Sequence, residues 1–252
     1  MNSRKLYLRG LKDGFPICLG YLSVSFAFGI FAVGAGLSIW QTILVSLANV
    51  TSAGQLAGVP IIVGSLPLVE MVLTQFVINL RYSLMSVSLS QKLSPRVKLL
   101  HRLAIAFGVT DEIFAVAISQ KKEVETPYML GLITSPVFGW VLGTALGALA
   151  GDILPEMVVS ALGIALYAMF VAIVIPPAKK NHAVALCCLL AMAMSAAFYY
   201  IPVLSEISAG ISIIICALVS GLLFAWIAPI PDEEKKGPSD HEADGAGKEV
   251  AT

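Results

Sequence analysis

The strongest constraint on this chain is a succession of apolar stretches, each close to the length of a bilayer crossing, with polar and ionisable residues set into them at only a few places. A spanning helix needs about 20 predominantly apolar residues. Residues 15–37, 66–90, 128–150, 157–175, 183–201 and 207–228 each approach or exceed that length. No water enters the hydrocarbon core to satisfy backbone N–H and C=O groups, so such stretches must fold as helices. The predicted fold class is therefore all-α, a polytopic integral membrane protein. Composition agrees: 58% of the residues are hydrophobic and 13% charged, against about 25% charged in soluble domains, and the mean hydropathy is +0.87. A formal net charge of zero leaves no basic surface to meet phosphates, which argues against nucleic acid as a partner. Cys18, Cys187, Cys188 and Cys216 all lie in apolar segments and read as small buried hydrophobes. The three histidines have no metal-ligand spacing. With no nucleophile–base set either, neither a metal, a cofactor nor catalytic residues are expected.

The joints between apolar stretches carry a sidedness signal. Arg4, Lys5, Arg9 and Lys12 stand against Asp13 alone in residues 1–14, which predicts a cytoplasmic N-terminal segment before a retained first helix. Lys92, Arg96, Lys98 and Arg102 mark residues 91–102 as cytoplasmic, and Lys121 and Lys122 mark 120–125 more weakly. Lys179 and Lys180 are expected inside; Asp152, Glu156 and Glu206 outside. Two apolar stretches do not fit as plain crossings. Residues 40–64 are interrupted by Asn49, Thr51, Ser52, Gly54 and Gln55, and residues 103–119 are short, with Thr110, Asp111 and Glu112 at their centre. The first is either one span with a distorted middle or a re-entrant hairpin. All three basic segments fall on one side if residues 40–64 dip in from outside and 103–119 from inside. That gives six full transmembrane helices plus two oppositely facing broken segments; seven to eight full spans are the alternative. Paired interrupted helices point to a transporter binding site. Residues 15–228 are thus predicted to form a transmembrane transporter domain, and residues 229–252, acidic and short of apolar side chains, a disordered cytoplasmic tail.

Most of the polar chemistry lies between Gln75 and Glu112. At 100° per residue Gln75, Asn79, Tyr82 and Ser86 fall within about 60° of one another, one polar stripe along four turns. Arg81 lies on another face, roughly 16 Å along the axis from Glu70, so it needs a partner elsewhere or a route to water. A charge at the middle of a spanning helix costs roughly 2.5–3.5 kcal/mol on insertion scales, so these residues must face a cavity or pair. Two features are candidates for a small-molecule site. If a half-helix starts at Ser52, Ala53, Gly54 and Gln55, its free N–H groups and positive dipole end favour an anion such as a carboxylate; the alternative is a packed kink. A carboxyl removed from water is easier to protonate, which makes Asp111 or Glu112 a candidate proton carrier or a partner for an ammonium group; the alternative is a static ion pair with Arg81. Together these features suit a zwitterion with a hydrophobic side chain, although an amine, an organic acid or an ion fits bare spacing almost as well. Gly139, Gly143, Gly147 and Gly151 form a ridge that lets another helix approach closely, either within this chain or from a second subunit.

Gly14-Phe15-Pro16 and Gly20-Tyr21 leading into Phe26-Ala27-Phe28-Gly29, then Ala53-Gly54-Gln55, Asn79-Leu80-Arg81-Tyr82-Ser83-Leu84, and Thr110-Asp111-Glu112 with Phe114-Ala115, resemble the AzlC family over about residues 10–230. These are the large subunits of branched-chain amino acid exporters, named for azaleucine resistance. This chain differs in a shorter Ala-Gly-Gln motif and in Tyr82, where histidine is common. The resemblance implies a multi-pass protein of the cytoplasmic (inner) membrane that exports leucine, isoleucine or valine on the proton gradient. It also implies a small membrane partner of the AzlD type. Under it Ala53, Gly54, Gln55, Asn79 and Tyr82 are the expected substrate-binding residues, Asp111 and Glu112 carry the proton, Gln75 and Arg81 support them, and Gly139, Gly143 and Gly147 are where the partner is expected to pack. The alternatives are an uptake permease, a channel, or a membrane subunit with no transport of its own.

Overall fold

The computed structural model describes residues 2–151 and 154–228; Asp152 and the expected tail, residues 229–252, lie outside the described residues. The described chain is helical and without a named strand. Its elements are α1 (Ser3–Gly34), α2 (Ile39–Ala48), α3 (Ser52–Val63), α4 (Leu68–Lys92), α5 (Leu99–Phe107), α6 (Asp111–Ile118), α7 (Thr126–Ala150), α8 (Glu156–Lys180), α9 (His182–Tyr200), α10 (Pro202–Ser205) and α11 (Ala209–Ile227). Among the described residues six of these, α1, α4, α7, α8, α9 and α11, have 19 residues or more. Four, α1, α7, α9 and α11, are by length and composition apolar enough to cross a membrane. The two interrupted stretches appear as the pairs α2/α3 and α5/α6. The protein is thus an all-α membrane protein with long helices and two broken segments. Residues 3–14, the expected N-terminal segment, form the first turns of α1, capped by the Asn2 side chain on the N–H of Arg4.

The molecule is built on α1 and α7, which share its most extensive contact. Small residues at i, i+4 spacing explain why. A Cβ on Gly131 would meet the backbone of Tyr7, on Gly139 that of Cys18, on Gly143 that of Leu22 and on Gly147 that of Phe26. The approach is reciprocal, since Gly10, Gly14 and Gly29 of α1 meet the backbone of α7 in the same way. Helices whose backbones touch at glycine gain packing where lipid offers no hydrophobic drive. The expectation that Gly139, Gly143 and Gly147 hold a second subunit is corrected here, because α1 of the same chain already occupies that ridge.

Residue numbers rise together along this contact, so α1 and α7 run parallel and begin at the same end. Arg9 Nη2 donates to Gln120 Oε1 at 2.9 Å. The N–H of Val124 donates to the carbonyl of Lys92, and the N–H of Ser94 to that of Val124, both at 3.0 Å. The N-terminal, 91–102 and 120–125 segments therefore meet at one end, as the positive-inside pattern requires.

The broken pairs are hairpins that enter from opposite ends. Ser38 and Gln41 start α2 with a reciprocal capping box. The chain breaks at Asn49–Thr51, and α3 returns: Val59 packs with Leu37, and Val63 lies beside Gly36, whose φ of +108° makes the turn out of α1. At the basic end α5 leaves, breaks at Gly108–Thr110, and α6 returns to Gln120. Both breaks read Val-Thr before a half-helix: Val50-Thr51 before α3 and Val109-Thr110 before α6. Both valines are buried. Both threonines cap, with Thr51 Oγ1 accepting from Gly54 N at 3.1 Å and Thr110 Oγ1 from Ile113 N at 3.4 Å. Two β-branched residues in a row favour extended backbone, and the threonine hydroxyl then supplies the N-cap. The halves show no clear sequence repeat, yet this dipeptide is shared by the two inversely oriented hairpins. At the far end Glu70, buried at the start of α4, accepts from Gly210 N at 3.0 Å and so holds the first turn of α11.

Candidate functional site

The two half-helices α3 and α6 point their N-termini at one cavity of about 540 Å³, a volume typical of small-molecule sites. Ser52 and Ala53 of α3 line it on one side, and Thr110, Asp111 and Glu112 on the other. Trp140 of α7 forms part of its back, Tyr21 and neighbouring residues of α1 one edge, and Arg81 and Tyr82 of α4 the other. Ile17, Val24 and Val50 make much of the remaining wall apolar.

The first turn of α6 carries the charge. Arg81 Nη1 lies 2.9 Å from Asp111 Oδ2 and donates to Oδ1 at 3.1 Å. Its Nη2 donates to Tyr82 Oη at 2.9 Å, and the guanidinium lies 4.7 Å from the centre of the Tyr82 ring. This is the partner that Arg81 required, thirty residues further along the chain. Glu112 is held separately. Tyr21 Oη lies 2.5 Å from Glu112 Oε2 and 2.6 Å from Thr110 Oγ1. A phenol has one proton, so Tyr21 donates it to the carboxylate and accepts from the threonine hydroxyl. The Tyr21 ring meets Trp140 edge-on, with centroids 5.2 Å apart. Two neighbouring acids thus have different partners, a cation for one and a phenol for the other.

The break before α3 is held by amides. Gln75 Nε2 donates to the carbonyl of Gly54 at 2.7 Å, and Gln75 Oε1 accepts from Asn49 at 3.0 Å and from Asn79 at 3.1 Å. Gln55, fully buried, donates to Ser46 Oγ at 2.7 Å and to the carbonyl of Asn49 at 3.0 Å. Ser46 reaches Thr144 of α7 at 2.6 Å, and Trp140 Nε1 donates to the Asn49 carbonyl at 3.3 Å. A Cβ on Gly54 would stand 2.6 Å from Gln75 Oε1, so only glycine lets this amide approach. The carbonyls of Asn49 and Gly54 and the N–H of Gly54 are thus satisfied by protein, as a break at membrane depth requires.

These contacts divide the expected site residues. Ala53, Tyr82, Arg81, Asp111 and Glu112 line the cavity together. Gly54, Gln55, Gln75 and Asn79 do not line it; they fix the break that aims α3 at it, whereas the sequence places Gly54, Gln55 and Asn79 among the expected substrate contacts. Gly139, Gly143 and Gly147 lie in the α1–α7 contact. Sequence reading did not single out Tyr21 and Trp140 as site residues. A signal existed for both: each is a polar-tipped aromatic in an apolar span whose O–H or N–H must find a partner.

Chemically, the α3 N-terminus offers backbone N–H groups and a positive dipole end to an anion. The two carboxyls of α6 offer negative charge to a cation or a proton. The walls between them suit an apolar group.

Comparison with known proteins places this architecture. The family model described as "AzlC protein" matches residues 16–154. A protein named "Uncharacterized membrane protein" from Archaeoglobus fulgidus is 32% identical over 228 residues, covering 90% of this chain and 97% of its own length. "Inner membrane protein YgaZ" of Escherichia coli is 28% identical over 235 residues, covering 90% of this chain and 94% of its own. No solved structure matches. The matched region contains α1 from Pro16 onward, α7, both hairpins and every residue lining the cavity, and the chain belongs to the AzlC family.

Proposed function

We propose that the protein is a secondary transporter that exports branched-chain or similar hydrophobic amino acids across the cytoplasmic membrane. It acts as the large subunit of a two-component system with a small AzlD-type partner and is driven by protons. The observation that carries this reading is the single cavity between two opposed half-helix N-termini, one bare and one carrying two acids. The substrate carboxylate sits at Ser52 and Ala53, its ammonium faces Asp111 and Glu112, and its side chain lies against Ile17, Val24 and Trp140. Substrate and proton compete for the acids. Protonation of Asp111 loosens its pair with Arg81, and binding of the ammonium restores a cation beside the carboxylate.

Efflux tests this. Cells lacking their own exporters are loaded with a leucine-containing dipeptide and express the chain with and without an AzlD-type partner, while extracellular leucine is followed. The expected result is efflux that requires the partner and collapses with an uncoupler. Absence of efflux with both proteins present in the membrane overturns the exporter reading. Leucine accumulation inside would assign uptake instead.

A further inference from the structure

Two recesses lie along one seam of the molecule. The first is the central cavity. The second, of about 590 Å³, lies at the basic end, which the positive-inside pattern makes cytoplasmic. Leu6 and Arg9 of α1, Ser119 and Gln120 at the end of α6, and Tyr128 of α7 line it, together with residues 121–125. Both recesses use one face of α1. At 100° per residue Leu6 and Arg9 of the inner recess, Asp13, and Pro16, Gly20 and Val24 of the cavity fall within about 80° of one another. α6 repeats the pattern: Glu112 lines the cavity and Ser119 the recess, and seven residues, close to two turns, bring them to the same face. Arg9 and Pro16 are also seven residues apart, so each helix sets about 10 Å between the recesses. The two helices run antiparallel and are pinned at both ends. Tyr21 Oη meets Glu112 and Thr110 at 2.5 and 2.6 Å, and Arg9 Nη2 donates to Gln120 Oε1 at 2.9 Å.

The neck between the recesses is polar and thinly held. Asp13 stands on it. Tyr128 Oη donates to Asp13 Oδ2 at 2.8 Å, and Arg9 Nε lies 3.8 Å from the same oxygen. The Arg9 and Asp13 side chains are 54% and 32% exposed, and an ion pair of that length and exposure adds little. The far end of the cavity is built differently. Behind the α3 N-terminus stand Gln55, Val59 and Ile61, each 2% exposed or less, and the amide contacts that fix the break. The barrier toward the cytoplasm is therefore the weaker of the two.

We propose that the seam between α1 and α6 is the route by which the ligand of the cavity exchanges with the cytoplasm. The recess at Arg9 is its mouth, and Arg9, Asp13 and Gln120 are its gate. The gate opens when Gln120 releases Arg9 and the end of α6 moves off α1. A zwitterion suits this passage: its carboxylate takes Arg9 and its ammonium takes Asp13 as the two side chains part. The inference rests on the transporter reading and adds to it the inner path and the residues that guard it.

Thiol accessibility tests this. Gly20→Cys puts a reporter in the cavity wall, where an added Cβ meets nothing within 4 Å. In the full chain, cleared of its four native cysteines, its reaction with a charged, impermeant maleimide is timed in inside-out and right-side-out vesicles. The expected result is reaction from the cytoplasmic face that becomes at least about tenfold faster with Gln120→Ala, the effect of losing one charge-assisted hydrogen bond. With Gln120→Glu, which pairs Arg9 more tightly, the rate is expected to stay at or below that of the parent. Rates that ignore both substitutions, reaction from the outer face alone, or no reaction from either face overturn the route. Leucine efflux from the same strains separates the two readings. Proton-driven efflux with labelling from the outer face alone overturns the inner route only. Cytoplasmic labelling that follows Gln120, without efflux, overturns only the transport reading.

Discussion

Tyr21 is the residue on which the division of labour between the two acids turns. Its single proton goes to Glu112, and its oxygen accepts from Thr110, the residue that caps the same half-helix. A hydrogen bond to a charged group is worth about 1.5–3 kcal/mol. Tyr21→Phe keeps the ring against Trp140 and is expected to lower leucine flux at least about tenfold, with helix content and melting in detergent little changed; wild-type flux would remove Tyr21 from the site. Asp111→Asn keeps shape but loses the charge opposite Arg81. It is expected to abolish proton-driven flux in a protein that still inserts and purifies, and wild-type flux would exclude Asp111 as the proton carrier. At this scale the charged part of the site was legible: an arginine and two acids in an apolar chain must be paired or face a cavity, and Arg81–Asp111 does both. Tyr21 and Trp140 were less legible because aromatics in spanning helices are common, and only their hydrogen bonds set these two apart. Gln55 and Asn79 bond the broken backbone and its supporting amide and do not line the cavity. Sequence shows that an amide lies near a break but not whether it faces the cavity or the backbone.

Among elements, the hairpins and the α1–α7 pair make the site possible. Each hairpin was visible as a polar interruption in a short apolar run, and each break falls within that interruption. What sequence left open was whether the chain turns back, because composition is the same for a distorted span and a hairpin; the return of Val63 to Gly36 decides it. The glycine ridge announced a close helix approach without naming the approaching helix, since small residues permit contact from any backbone. The α1–α7 contact makes a prediction. Overpacking a close contact costs about 1–3 kcal/mol even where side chains can yield, and here the obstacle is backbone. Gly143→Leu is expected to deplete folded protein from the membrane and to lower the melting temperature in detergent. Gly221→Ala on α11, where an added Cβ meets nothing within 4 Å, serves as the control and is expected to stay within about 0.5 kcal/mol of the parent. Equal melting of the two variants would show that the ridge does not hold α1.

At the scale of the whole molecule, sidedness and architecture are linked. The parallel course of α1 and α7 and the contact of Val124 with Lys92 and Ser94 gather the basic segments at one end, so the two hairpins enter from opposite faces. Single cysteines replacing Ser38 and Ser94, in a background cleared of the four native cysteines, are expected to react with an impermeant maleimide from opposite sides of the membrane; labelling from the same side contradicts the topology. The measurement that goes most directly to the central claim is flux in proteoliposomes holding the purified chain with an AzlD-type subunit, under an imposed pH gradient and no other ion gradient. The expected result is saturable leucine movement against the proton flow, with proton movement stimulated by leucine and both lost in Asp111→Asn. Leucine flux that ignores the gradient and survives neutralisation of both Asp111 and Glu112 would contradict it.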